Sequence, residues 1–175
     1  MQFSRDWEGA TALVIGGGPS ITRLGHDKLI PKCRGRMKVI AVNRAYRIAP
    51  WADLLYGADA DFWDREGVEG VSERELGKQP GSHSGFHAWR IAIERGASIV
   101  LLAGIDLRTY EPGQRFHWHE GYGLKMQDAY WHWRHEFSRA AADAKEQGVR
   151  TYNLNPSSAV RCFPFARLED WLDEA

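Results

Sequence analysis

The run "VIGGGPSI" places Gly16, Gly17, Gly18, Pro19 and Ser20 between an apolar stretch and a helical one. Glycine at such a junction admits positive φ and close backbone approach, and Pro19 suits a first helical position because its missing N–H would have no partner there anyway. Free N–H groups near Gly17, Gly18 and Ser20, with the positive end of a helix behind them, would attract an anion such as phosphate. No Gly-Lys-Ser/Thr follows, so the segment is not a Walker loop, and the third glycine of the dinucleotide fingerprint is missing. The expectation is a nucleotide phosphate; the plainer alternative is a tight strand-to-helix turn with no ligand.

Other polar residues recur at comparable junctions. Asn43 and Arg44 follow "MKVIAV", Asp59 and Asp61 follow "ADLLYGA", Gly104 and Asp106 follow "SIVLLA", and Asn155, Pro156, Ser157 and Ser158 follow "VRTYNL". Asn43 and Asp59 could hydrogen-bond a ribose or a base edge, or could equally form a turn or cap. Ser84-Gly85 opens an apolar helix, so Ser84 is either its N-cap or a ligand contact at the helix start.

Six of the seven histidines lie between His83 and His135. His83 with His87, His132 with His135, and His117 with His119 are spaced as metal ligands could be. There is no cysteine cluster and no HExxH motif, so no metal is assigned. A general base drawn from "FHWHEGYG" suits the long loop beside Asp106, because histidine takes a proton near neutral pH. His119 is the choice over His117, against the alternative of a loop histidine with no chemistry.

The elements that must position these residues alternate. Strands are expected in "ATALVIG", "MKVIAVN", "ADLLYGA", "SIVLLAGI" and "VRTYNL", with helices from about Ser20, over about Ser84 to Arg95 and Lys125 to Gln147, and in "FARLEDWLDEA". The apolar runs are continuous, as in strands buried on both faces. The rhythm predicts an α/β, Rossmann-like three-layer fold with a mainly parallel sheet of about five strands. In such a sheet ligands sit beyond the carboxyl ends of the strands, where the polar residues above fall. Along the long helix Met126, Tyr130, Trp133, Phe137, Ala141 and Ala144 form a core stripe, and Asp128, His132, His135 and Arg139 form a solvated one.

Composition narrows the class. At 175 residues the chain fits one nucleotide-binding domain, residues 1–175. Lys plus Arg and Asp plus Glu are both 23, so no net field favours nucleic acid or an anionic membrane, though a local basic patch is compatible with that balance. Cys33 and Cys162 form no CxxC pair and suit a reducing compartment. No stretch approaches the roughly 20 apolar residues of a membrane span, and "MQFSRDWEG" lacks the features of a signal peptide. A soluble, cytoplasmic protein is expected. The eight tryptophans supply either core area or platforms for a base or sugar.

"VIGGGPSI", "AVNRAY", "SGFHAWRIAIERGASIVLLAGIDL" and "YNLNPSSAV" resemble, in order and spacing, the bacterial CMP-sialic acid-dependent sialyltransferases of Rossmann-like fold. They equally resemble bacterial, archaeal and phage domains related to motility accessory glycosyltransferases and to an archaeal pterin diphosphokinase. The resemblance implies that Gly16 to Ser20, Asn43, Ser84, Gly85 and the Asn155-Pro156-Ser157 turn line a nucleotide pocket. The sialyltransferase motif reads Gly-Asn-Gly-Pro-Ser where this chain has Gly17. The Gly-His-Ser-type base motif is replaced by "YGLKMQD", with no histidine nearer than His119.

Two classes of function follow from these expectations. One is a glycosyltransferase-like enzyme using a CMP-sugar-type donor and a hydroxyl acceptor, with no cofactor required. Its pyrophosphokinase-like variant would hold Mg²⁺ through Asp59, Asp61 or Asp106. The other is a non-catalytic module, phage-encoded for instance, that binds or sequesters a nucleotide.

Overall fold

The computed structural model describes residues 4–57, 62–68, 74–75, 83–110 and 129–173, with backbone alone at 74–75 and 129. Six parallel strands form one sheet: β1 (Thr11–Ile15), β2 (Lys38–Val42), β3 (Leu54–Tyr56), β4 (Arg74–Glu75), β5 (Ile99–Ala103) and β6 (Arg150–Asn153). Their order is β4-β3-β2-β1-β5-β6. The chain steps outward from β1 to β4, then returns to the other side of β1, so the order reverses between β1 and β5. That reversal is where open α/β sheets leave a crevice. The five strands expected from the sequence are all present, and β4 is an added two-residue edge.

Burial explains why the strands read as continuous apolar runs. Ala12 and Val14 of β1, Ile40 and Val42 of β2, and Val100 and Leu102 of β5 pack into one layer. Leu13, Ile15, Val39, Ala41, Leu101 and Ala103, the alternate residues, pack into the other. Each face is therefore covered, as the period-two geometry of a strand requires when no face meets water. The first face is roofed by α4 (Ser84–Glu94) and α5 (Ala129–Glu146), whose Phe86, Trp89, Trp133 and Phe137 are buried together. Trp89 keeps its indole N–H satisfied in this layer by donating to Thr151 Oγ1 at 3.0 Å.

The second face is covered by α1 (Ser20–Arg23), α2 (His26–Leu29), α3 (Phe62–Glu66) and α6 (Asp170–Asp173), through Ile21, Phe62, Trp63 and Leu172. The helix expected from about Ser20 is broken after one turn, because Gly25 takes φ +71° and begins α2 as its left-handed cap. The C-terminal helix is likewise shorter than expected. On α5, Trp133, Phe137 and Ala144 are buried, and Tyr130 and Ala141 half-buried, as the core stripe requires. His132, His135 and Arg139 are exposed. Met126, Asp128 and the start expected at Lys125 lie outside the described residues.

Candidate functional site

The loop after β1 is pressed against the loop after β5. A Cβ placed on Gly16 would lie 2.5 Å from Ile105 Cδ1 and 2.6 Å from the Gly104 carbonyl oxygen. One placed on Gly18 would lie 2.6 Å from both that oxygen and the Asp106 carboxyl carbon. Gly104 itself sits at φ +66°. The side chains are therefore excluded by the chain itself, at the point where the strand order reverses.

The amide groups there are spoken for in the same way. Gly16 N–H donates to Ala103 O and Gly18 N–H to Gly104 O, both at 2.8 Å. Ser20 N–H donates to Asp106 Oδ2 at 2.8 Å, and Ser20 Oγ to Asp106 Oδ1 at 2.6 Å. The negative charge at the head of α1 is thus the carboxylate of Asp106, and the expectation of free N–H groups at Gly18 and Ser20 is corrected. Of that set Gly17 alone keeps an N–H with no partner among the described residues.

Asp106 is 2% exposed and also accepts Asn155 Nδ2–H at 2.8 Å. One buried carboxylate thereby ties together the loops that follow β1, β5 and β6. Asn155 Nδ2 also donates to Tyr110 Oη at 2.5 Å, while Asn155 Oδ1 accepts Ser157 N–H at 2.9 Å. Ser158 Oγ closes the join by donating to Ile105 O at 2.7 Å. Asp106, expected from the sequence as the candidate catalytic carboxylate beside His119, has both oxygens accepting from protein donors in this structure.

Tyr110 was not singled out by the sequence, because a tyrosine in an irregular loop carries no periodic signal. Its ring has the guanidinium carbons of Arg23 and Arg108 at 4.6 and 4.9 Å from the centroid, a cation–π arrangement. Burial, followed by the nearby Asp106 charge, pushes its phenol up to about 12. It is accordingly protonated at neutral pH.

The remaining expected residues divide by what they touch. Asn43, the residue after β2, is half-buried with φ +51°, a left-handed conformation that asparagine tolerates better than most residues. Arg44 is paired: its Nε and Nη2 donate to Glu66 Oε1 at 2.8 and 2.6 Å, and Arg47 and Tyr46 complete the set around the same carboxylate. These bonds, Arg44's foremost, hold Glu66 below the usual carboxylate range. Ser84 is the first residue of α4 rather than its N-cap; His83 holds that place at φ −84°, ψ 127°, with no side-chain capping bond. The Ser84 and Gly85 N–H groups have no partner among the described residues. Gly85 is buried against Ile105, whose Cδ1 would meet its Cβ at 2.5 Å. Pro156 and Ser157 are exposed at the rim.

Asp59, Asp61, His117 and His119 lie outside the described residues, as does Trp118. His83 packs on Trp133 with ring centroids 5.0 Å apart, and His87 packs against Tyr56 and Phe86. Burial lowers the His87 pKa. His132 and His135 flank the exposed Trp131, His135 stacking on it at 5.7 Å. Among the described residues no three His, Cys, Asp or Glu side chains gather as a ligand set. No helix among them is long and apolar enough to cross a membrane.

No protein-family model and no curated protein matches the sequence. Among solved structures, the chain is similar to the sialyltransferase CstII from Campylobacter jejuni in complex with the substrate analogue cytidine-5'-monophosphate. The TM-score is 0.51 at 12% identity, over 92% of this chain and 86% of that one. A second CstII structure, with CMP-3FNeuAc, gives a TM-score of 0.48 at 13% identity, over 89% and 85%. At this identity the likeness is one of fold, and the fold of this chain is the Rossmann-like α/β arrangement seen in a glycosyltransferase.

Proposed function

We propose that this chain is a nucleotide-binding, glycosyltransferase-like enzyme that takes a CMP-type nucleotide sugar at the carboxyl edge of the sheet. The observation that supports the reading most is the likeness, along nearly the whole chain, to a fold solved with CMP bound. A fold alone does not dictate a function, so the residues at that edge carry the rest. With Gly18 and Ser20 engaged internally, the donor's charged group falls to Gly17 N–H and to the N–H groups of Ser84 and Gly85. These last open an 11-residue helix and carry its positive end. Asn43 and the Asn155-Pro156-Ser157 turn flank the nucleoside.

In the transfer, an acceptor hydroxyl oxygen bonds to the anomeric carbon as the bond from that carbon to the phosphate oxygen breaks. The nucleotide leaves with its phosphate, and His119 takes the acceptor proton. The chemistry is tested by incubating the protein with a CMP-sugar and following CMP release by chromatography. His119→Ala should abolish release and leave CMP binding intact. Release at the parent rate in that variant removes His119 from the mechanism.

One observation favours the non-catalytic reading. Both Asp106 oxygens are committed to protein donors, so this carboxylate is not available for acid–base work or for Mg²⁺. A module of that kind would bind CMP or its sugar and return it unchanged over long incubation.

A further inference from the structure

Beyond the loops that follow β5 and β6 lies a wide-open surface cavity of about 450 Å³ whose wall includes Arg108, Arg134 and Arg161, together with Leu107, Tyr130 and Ala159. The arginines arrive from three different places: the loop after β5, the first half of α5, and the loop after β6. Each is held by backbone carbonyls. Arg108 Nη1 donates to Ser157 O at 3.0 Å, Arg134 Nε to Tyr130 O at 3.1 Å, and Arg161 Nη1 to Pro156 O at 3.1 Å. None of the three forms an ion pair with an acid among the described residues. A carbonyl aims a guanidinium without neutralising it, and each retains further N–H donors from its set of five.

The backbone beside the cavity is also unusual. Leu107 is 5% exposed and has φ +44°, a conformation unfavourable for a leucine. It turns the chain between Asp106, which is locked inward, and Arg108, which reaches the cavity. In a chain whose charges balance at 23 and 23, three arginines line one wall with no acid paired to any of them among the described residues.

We propose that this cavity is a binding site for a phosphoryl-bearing anion, with pyrophosphate as its simplest occupant. Planar guanidiniums with paired donors match phosphoryl oxygens. The site adjoins the turn assigned above to the nucleoside, since Arg108 and Arg161 donate to Ser157 O and Pro156 O, but it does not rest on that reading, because the three arginines would recruit the phosphoryl group whether or not a nucleoside carries it.

The test is calorimetric titration of the full chain with pyrophosphate, inorganic phosphate, CMP and cytidine. Pyrophosphate should bind saturably and more tightly than phosphate, and cytidine should not compete with it. Arg134→Gln and Arg161→Gln should each weaken pyrophosphate at least tenfold, while the Lys variants should recover part of the loss. Arg167→Gln should change nothing, since Arg167 is an exposed residue near Glu169 and Asp170. Arg161 is itself exposed, so its variant keeps the fold and an unchanged melting temperature verifies that. Undiminished pyrophosphate affinity in the Arg134→Gln/Arg161→Gln double variant, or no saturable binding to the parent at 0.05 M salt, would overturn the proposal. CMP binding that persists when pyrophosphate binding is lost leaves the nucleotide site standing; loss of CMP alone strikes that site and not this one.

Discussion

Replacing Asp106 by asparagine probes the join between the three central loops with almost no change of shape. The amide has one oxygen where the carboxylate has two. If that oxygen takes the Oδ1 place, it keeps Ser20 Oγ and Asn155 Nδ2 but turns an NH₂ group toward Ser20 N–H. In the opposite orientation it keeps Ser20 N–H and faces the donor Nδ2 of Asn155. Asn155 cannot flip to help, because its oxygen already accepts Ser157 N–H. Either way one buried donor loses its acceptor, at a cost of about 1–3 kcal/mol, and the surviving bonds lose their charge assistance, about 1 kcal/mol each. Relief from burying an ionised group offsets part of this, leaving a loss of about 3 kcal/mol. For a chain of this length that is a drop of about 6–12 °C in Tm. Urea unfolding and calorimetry would measure it, and a double-mutant cycle with Ser20→Ala should return about 1–2 kcal/mol of coupling. A variant within about 0.5 kcal/mol of the parent would refute the reasoning, since a carboxylate facing a ligand instead of the protein could be neutralised at that small cost.

Three further outcomes are expected. Gly18→Ala forces a Cβ to 2.6 Å from backbone and carboxyl atoms and should destabilise by about 2–3 kcal/mol in urea unfolding; a neutral result would mean that the loops separate freely. His26 is 4% exposed, and burial lowers its pKa against the raising influence of Glu169, Asp106 and Asp27. The unfolded chain thus binds the extra proton first, so stability should fall as pH drops below about 6.5. His26→Leu should flatten the slope of the urea midpoint between about pH 6.5 and 5, though not entirely, because burial also lowers His87; an unaltered slope would show that His26 is hydrated. Asn43→Gly relieves the left-handed backbone while deleting the side chain, so it should leave Tm within about 1 °C and weaken CMP about tenfold. Unchanged affinity would reduce Asn43 to a turn residue.

The strands were legible because parallel strands buried on both faces leave unbroken aliphatic runs, as in "ALVI" and "IVLLA". β4 was not, since Arg74–Glu75 has neither length nor apolar content and exists through its pairing with β3. The glycine run correctly signalled that something approaches the backbone closely. What approaches is the carbonyl of Gly104 and the side chain of Ile105. Likewise the head of α1 does hold an anion, but it comes from 86 residues along the chain, a pairing no local pattern carries. Asp106, Ser20 and Asn155 were each named from their positions after strands, and the sheet brings them together, bonded to one another. Arg134 and Arg161 escaped notice because a lone arginine on an amphipathic helix or in a loop reads as solvated. Only the packing of α5 against the β6 loop places them on one wall.

Calorimetric titration with CMP tests the nucleotide reading most directly. Saturable one-to-one binding with Kd below about 1 mM, weakened by Asn43→Gly, is the expected result. Absence of saturable binding to CMP, UMP, GMP and AMP alike would contradict it.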